Sequence, residues 1–239
     1  MLWGLTNIYG TDTDPSSSGK SVLASMMVTE LKNLQESLSS EIPPTKVSVV
    51  FFYCKQGGDK DNLLGIVRGL LSQIVKQSPE LYPVLYEIIS GTGEPGLTSE
   101  HDARGLLTKA LSATSATVTY IIIDGLDECE ADQVKSVIAM LTKIMESLNL
   151  PPQAEGSCRI FFTSRDENHI RRQLTKAHKV KIRPKDNEED MRSYAYIQAA
   201  QIQCKFELSD IEGQNLVDSV TSRANGKFGN FQNRFESPN

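Results

Sequence analysis

The sequence holds little of what marks a disulfide-stapled, metal-binding or nucleic-acid-binding chain. Four cysteines occur in 239 residues. They are Cys54, Cys129, Cys158 and Cys204, and no two form a C-x-x-C pair, so neither a zinc cluster nor a dithiol redox motif is encoded. Two of them lie at or beside apolar strand-like runs, where cysteine behaves as a small hydrophobe. Three histidines, His101, His169 and His178, lie far apart and have no partners at ligand spacing. Positive charge is not in excess. The net charge of −5 and a pI near 5.3 give no electrostatic reason to bind nucleic acid or an anionic membrane. No apolar run approaches membrane-spanning length, and no basic start leads into an apolar stretch. Serine-nucleophile elbows, heptads, internal repeats and low-complexity runs are also missing. Together these absences predict a reduced, cytoplasmic protein with no membrane or nucleic-acid partner.

What is present is an alternation of strand and helix patterns. Strand-like runs occur at Lys46–Cys54, Thr117–Asp124, Cys158–Ser164 and His178–Arg183, with a weaker one at Met1–Gly10. The second and third are almost continuously apolar, as strands covered by helices on both faces are. Helical periodicity fills Lys20–Leu38 (apolar at Leu23, Met27, Leu31 and Leu34), Asp61–Gln77, Ser99–Ala113 and Ala131–Leu148, with a loop over Ser90–Leu97. Strands separated by helices of this length imply a mostly parallel α/β sheet. After Arg183 the pattern changes to two amphipathic helical stretches, the start of a helical lid, followed by an irregular tail over 227–239.

Three segments carry possible chemistry. The stretch DPSSSGKSVL, Asp14 to Leu23, ends in Gly19-Lys20-Ser21 at a helix start, the last three positions of a phosphate loop. Its first position, ordinarily glycine, is Asp14, so taken alone this stretch reads better as a serine-rich capping loop. The run TYIIIDGLDECE ends an apolar strand on Asp124, where a carboxylate stands at the sheet edge that binds ligands and suits Mg2+. Asp127 and Glu128 follow, and either suits polarising a water; the bland alternative is an acidic turn capping the next helix. The run CRIFFTSRDENHI ends its strand on Thr163-Ser164-Arg165, a polar and cationic tip or an ordinary turn.

With VSVVFFYC, NLLGIVRGLLSQI and DNEEDMRSYAYIQ, these segments resemble the NACHT group of STAND P-loop NTPases. More narrowly they resemble the nephrocystin-like N-terminal domain of filamentous fungi, over about Trp3 to Gly226. The resemblance implies a P-loop NTPase three-layer sandwich of the ASCE type, a five-stranded parallel sheet with the Lys20-loop strand central. It implies an NTPase core over 1–184, a lid start over 185–226, and a piece truncated at both ends. Ser18, Gly19, Lys20, Ser21 and Val22 would contact ATP or GTP, and Ser21 and Asp124 would hold Mg2+ through a degenerate Walker A loop and a Walker B acid. Asp127 or Glu128 would be the hydrolytic base and Arg165 the sensor. The implied activity is slow hydrolysis that switches a larger signalling protein, with self-association or effector and sensor domains as partners. Two alternatives stay open: a pseudo-NTPase serving as an interaction or oligomerisation module, and a DNA-handling ATPase.

Overall fold

The computed structural model describes residues 5–9, 19–40, 46–55, 57, 62–91, 97–113, 117–148 and 158–224. Five strands, β1 (Leu5–Tyr9), β2 (Lys46–Tyr53), β3 (Thr117–Asp124), β4 (Cys158–Ser164) and β5 (His178–Lys181), form one mostly parallel sheet in the order β2-β3-β4-β1-β5. Strand β1 is therefore interior but not central: β4 holds the middle, between β3 and β1. Helices α1 (Lys20–Ser39), α2 (Leu63–Gln77), α3 (Tyr82–Gly91), α4 (Glu100–Ala113), α5 (Ala131–Leu148) and α6 (Asn168–Gln173) alternate with the strands, and α7 (Glu188–Phe206) and α8 (Asp210–Ala224) follow. The tail over 227–239 lies outside the described residues. Among the described helices none is long and apolar enough to cross a membrane.

By backbone proximity the chain forms two compact units, Met1–Ile8 with Ser21–Val180, and Tyr9–Lys20 with Lys181–Asn239. In the first, β2, β3 and β4 carry buried apolar residues on both faces because both are covered. Val50, Ile121, Ile123, Ile160 and Phe162 pack with the buried residues of α2, α4 and α5, while Val47, Val49 and Ile122 pack with Ala24 and Val28 of α1. The side-chain alternation of a strand sends neighbouring residues to opposite cores. Helix α1 differs from its predicted stripe. Its fully buried positions are Ala24 and Val28, with Leu34 exposed, since short side chains let the helix lie close on the strands. Helices α3 and α6 have no counterpart in the sequence reading. In α3, Pro83 sits in the first turn, where proline is tolerated.

In the second unit α7 packs on α8, with Ala195, Ala199, Gly213 and Val217 buried. The pair is tied by Arg192–Asp218 at 2.7 Å and by Gln203 Nε2 donating to Asp210 at 2.8 Å.

The outer edge of β2 is closed by two glutamines of α2. Gln73 accepts from the Phe51 N–H (3.1 Å) and donates to its carbonyl (2.7 Å). Gln77 does the same to Val49, at 3.2 and 2.9 Å. Each carboxamide thus bonds as the peptide group of a neighbouring strand would. Four residues of helix rise about 6 Å and two residues of strand about 6.6 Å, so Gln73 and Gln77 match successive outward residues. Replacing both by alanine strips partners from four backbone groups. The expected loss is roughly 2–4 kcal/mol, with faster aggregation on heating through the opened edge. Urea unfolding and light scattering check this, and wild-type behaviour in both would show that water satisfies the edge equally well.

None of the four cysteines is in a disulfide; Cys54, Cys129 and Cys158 are buried and Cys204 is exposed. Burial pushes the Cys158 thiol from 9.0 up to about 12. The folded protein therefore keeps a proton that the unfolded chain releases from about pH 9. The associated stability is complete below pH 9 and is lost at about 1.4 kcal/mol per pH unit between 9 and 12. Urea unfolding across that range should show a shallower decline in Cys158→Ala than in the wild type.

Candidate functional site

The parallel registers of β2, β3 and β4 bring their C-terminal ends to one sheet edge, with Tyr53 opposite Asp124. Ile121, Ile122 and Ile123 are buried, so β3 is anchored and its last residue is fixed. Asp124 is only 4% exposed. Its carbonyl accepts from the Cys54 N–H at 2.9 Å, and its Oδ1 accepts from the Thr163 hydroxyl on β4. Thr163 in turn accepts from the Gly125 N–H at 3.1 Å. Oδ2 of Asp124 accepts nothing from the described residues, which leaves one carboxylate oxygen for a further partner.

Gly125 turns the chain at φ 70°, and a Cβ there would lie 3.2 Å from the Cys54 carbonyl. Glycine meets both demands, a left-handed backbone and a close approach. The 3-10 turn Leu126–Glu128 follows, closed by the Glu128 N–H on the Gly125 carbonyl at 2.8 Å. Its two acids have different surroundings. Asp127 Oδ1 accepts from the Arg165 backbone N–H at 2.8 Å and Oδ2 pairs with Arg165 Nε at 2.9 Å. Glu128 is exposed and its carboxylate lies over Gly125. With both oxygens on Arg165, Asp127 does not cap α5, which begins at Ala131.

Gly19 has φ 74°, and α1 starts directly after it with no acidic residue in its first turn. Lys20 is half-buried and Ser21 exposed. Val22 is 59% exposed. Ser18 lies outside the described residues. The first unit thus gathers Asp124, Asp127, Glu128 and Arg165 at one edge and carries Ser21 and Val22 on α1; Lys20 is counted with the second unit.

A family model described as Nephrocystin 3, N-terminal, matches residues 14–165, more than half of the chain. The chain belongs to the Nephrocystin 3 N-terminal family. The match takes in Lys20 and the Asp124–Glu128 turn and ends on Arg165. No curated protein matches the sequence. Among solved structures, the Aeropyrum pernix ORC2 protein in its ADPNP–ADP complexes is similar at TM-score 0.50 and 13% identity, over 90% of this chain and 62% of that one. The ADP form of the same protein gives 0.45 at 14% over 94% and 54%, and Cdc6p from Pyrobaculum aerophilum 0.45 at 13% over 75% and 38%. The Nephrocystin 3 N-terminal chain therefore spans less than two thirds of each of these proteins. At such identities the likeness to the first is one of fold alone, a mostly parallel α/β sheet covered by helices.

Thr163 is a residue of this family segment to which the sequence reading assigned no role toward Asp124. Its only signal was a polar strand tip; its contact with a carboxylate 39 residues away depends on β4 pairing with β3. Thr163→Val removes both bonds and is expected to cost about 1–3 kcal/mol, while Thr163→Ser should restore most of it. Equal stability of the valine and serine variants would show that the hydroxyl does not hold Asp124.

Proposed function

We propose that this chain binds a nucleoside triphosphate, ATP or GTP, together with Mg2+, and hydrolyses it slowly as a switch module of a NACHT-type STAND signalling protein. The observation that carries this reading is Asp124, a buried carboxylate at the end of the interior strand β3, held by Thr163 through one oxygen, with no partner for the other among the described residues. A carboxylate oxygen and a serine hydroxyl are hard donors, and Mg2+ is commonly held by one or two protein oxygens alongside the substrate's phosphates. Asp124 and Ser21 suit that role. When bound, Mg2+ would neutralise charge developing on the phosphate oxygens.

Gly19, Lys20, Ser21 and Val22, with Ser18 before them, supply the phosphate-binding end. The positive φ of Gly19 and the acid-free first turn of α1 favour an anion there. Glu128 would orient water, and Arg165 would add positive charge. The Aeropyrum pernix ORC2 protein, determined with ADPNP and ADP, supports the reading through its shared fold. On this reading the parent protein acts in the cytoplasm, with further copies or with effector and sensor domains as partners, and the chain divides into a core over 1–184 and a lid start over 185–226.

Asp14 and the serines that replace glycine favour a second reading, a pseudo-NTPase that serves as an interaction module. Isothermal titration with Mg-ATP and Mg-GTP separates the two. Heat of binding that vanishes with EDTA supports the switch, and no binding by the wild type rejects it. Recovery of binding in Asp14→Gly with Ser17→Gly would locate the defect in the loop.

A further inference from the structure

We propose that Asp127 is a positioning residue that fixes Arg165 at the rim of the β3–β4 edge, so that of the two adjacent acids Glu128 alone acts on water. This rests on the nucleotide-site reading above. Asp127 and Glu128 are neighbours in one turn with the same charge, and the fold uses them differently. The Asp127 side chain is 4% exposed. One of its oxygens accepts from the main chain of Arg165 and the other from that residue's guanidinium Nε, at 2.8 and 2.9 Å. Bonding to both parts of a single residue sets the backbone at the end of β4 and the direction in which the side chain leaves it.

A proton acceptor for water must present a lone pair that water reaches. Both Asp127 oxygens are engaged, and the side chain is closed to solvent. Glu128 is exposed, one methylene longer, and lies over Gly125, the residue after Asp124. Arg165 is 40% exposed although its Nε is held. A guanidinium whose direction is fixed at this rim is pre-organised to place positive charge toward phosphoryl oxygens. The short aspartate arm also suits its task, because it keeps the carboxylate near the backbone it must bind.

The test uses the full chain as wild type, Asp127→Asn, Arg165→Gln, the double variant and Glu128→Gln. Urea unfolding needs no nucleotide. The two single substitutions are expected to lower the midpoint by similar amounts, with the double variant no lower than the worse single; additive shifts would overturn the pairing. Titration with ATP and ADP then reads the role. Asp127→Asn and Arg165→Gln should each reduce the preference for ATP over ADP by about tenfold, the loss of roughly one charge-assisted contact, and the double variant no further. Glu128→Gln should leave that preference unchanged and lower kcat by at least about a hundredfold. A hundredfold loss of kcat in Asp127→Asn at unchanged ATP preference makes Asp127 the base and overturns the proposal. If the wild type binds no nucleotide, the function proposed above fails, and the urea cycle alone decides whether Asp127 positions Arg165.

Discussion

Lys20→Ala is expected to weaken Mg-ATP binding by about a hundredfold or more while leaving the thermal midpoint of the ligand-free protein within about 3 °C. Lys20 is the first residue of α1, and alanine is the better helix former, so the helix does not suffer from the exchange. What is lost is an ammonium group where phosphates would converge. A charge-assisted bond contributes roughly 1.5–3 kcal/mol, and a hundredfold corresponds to about 2.7 kcal/mol. Gly19→Ala should weaken binding by a different route, through about 1–2 kcal/mol of strain at a left-handed position. Isothermal titration on both variants is the check. Wild-type affinity in Lys20→Ala would separate this residue from any nucleotide and leave the Asp124 edge without a phosphate-binding partner.

Phe162→Ala is expected to cost about 3–5 kcal/mol and to lower the thermal midpoint by roughly 10 °C. Phe162 is fully buried in β4, the middle strand, within the core shared with α2, α4 and α5. Its neighbour Phe161 points to the other face, is half-buried, and stacks on Tyr120 at 6.4 Å, so Phe161→Ala should cost about half as much. The ratio tests the layering as well as the size of the effect. Equal losses at the two positions, measured by calorimetry or urea unfolding, would mean that the sheet faces are not covered as described.

The candidate site was legible in the sequence to the extent that its chemistry follows strand ends. Asp124 could be placed because four apolar residues precede it and glycine follows. Arg165 could be placed because the apolar run Ile160–Phe162 lies in its strand just before Thr163. The difference between Asp127 and Glu128 could not be read, because both are acids in one turn and only the neighbouring strand separates them. The same holds for Thr163, whose hydroxyl is one of many in the chain until β4 pairs with β3. Gln73 and Gln77 read as polar positions on an amphipathic helix, and the edge they close is invisible without a strand order.

By itself the sequence determined the element types and their order: continuous apolar runs for doubly covered strands, and 3.6-residue periodicity for α2, α4 and α5. These are local properties, set by how backbone geometry repeats over a few residues. Only the tertiary structure decided that β4 lies between β3 and β1, that Ala24 and Val28 rather than Leu23 and Met27 form the buried stripe of α1, and that Asp127 closes on Arg165. Those outcomes depend on residues far apart in sequence meeting across the sheet, 38 positions in the case of Asp127 and Arg165. Burial and hydrogen-bond satisfaction over the whole sheet select such meetings, and no periodicity within a single segment encodes them.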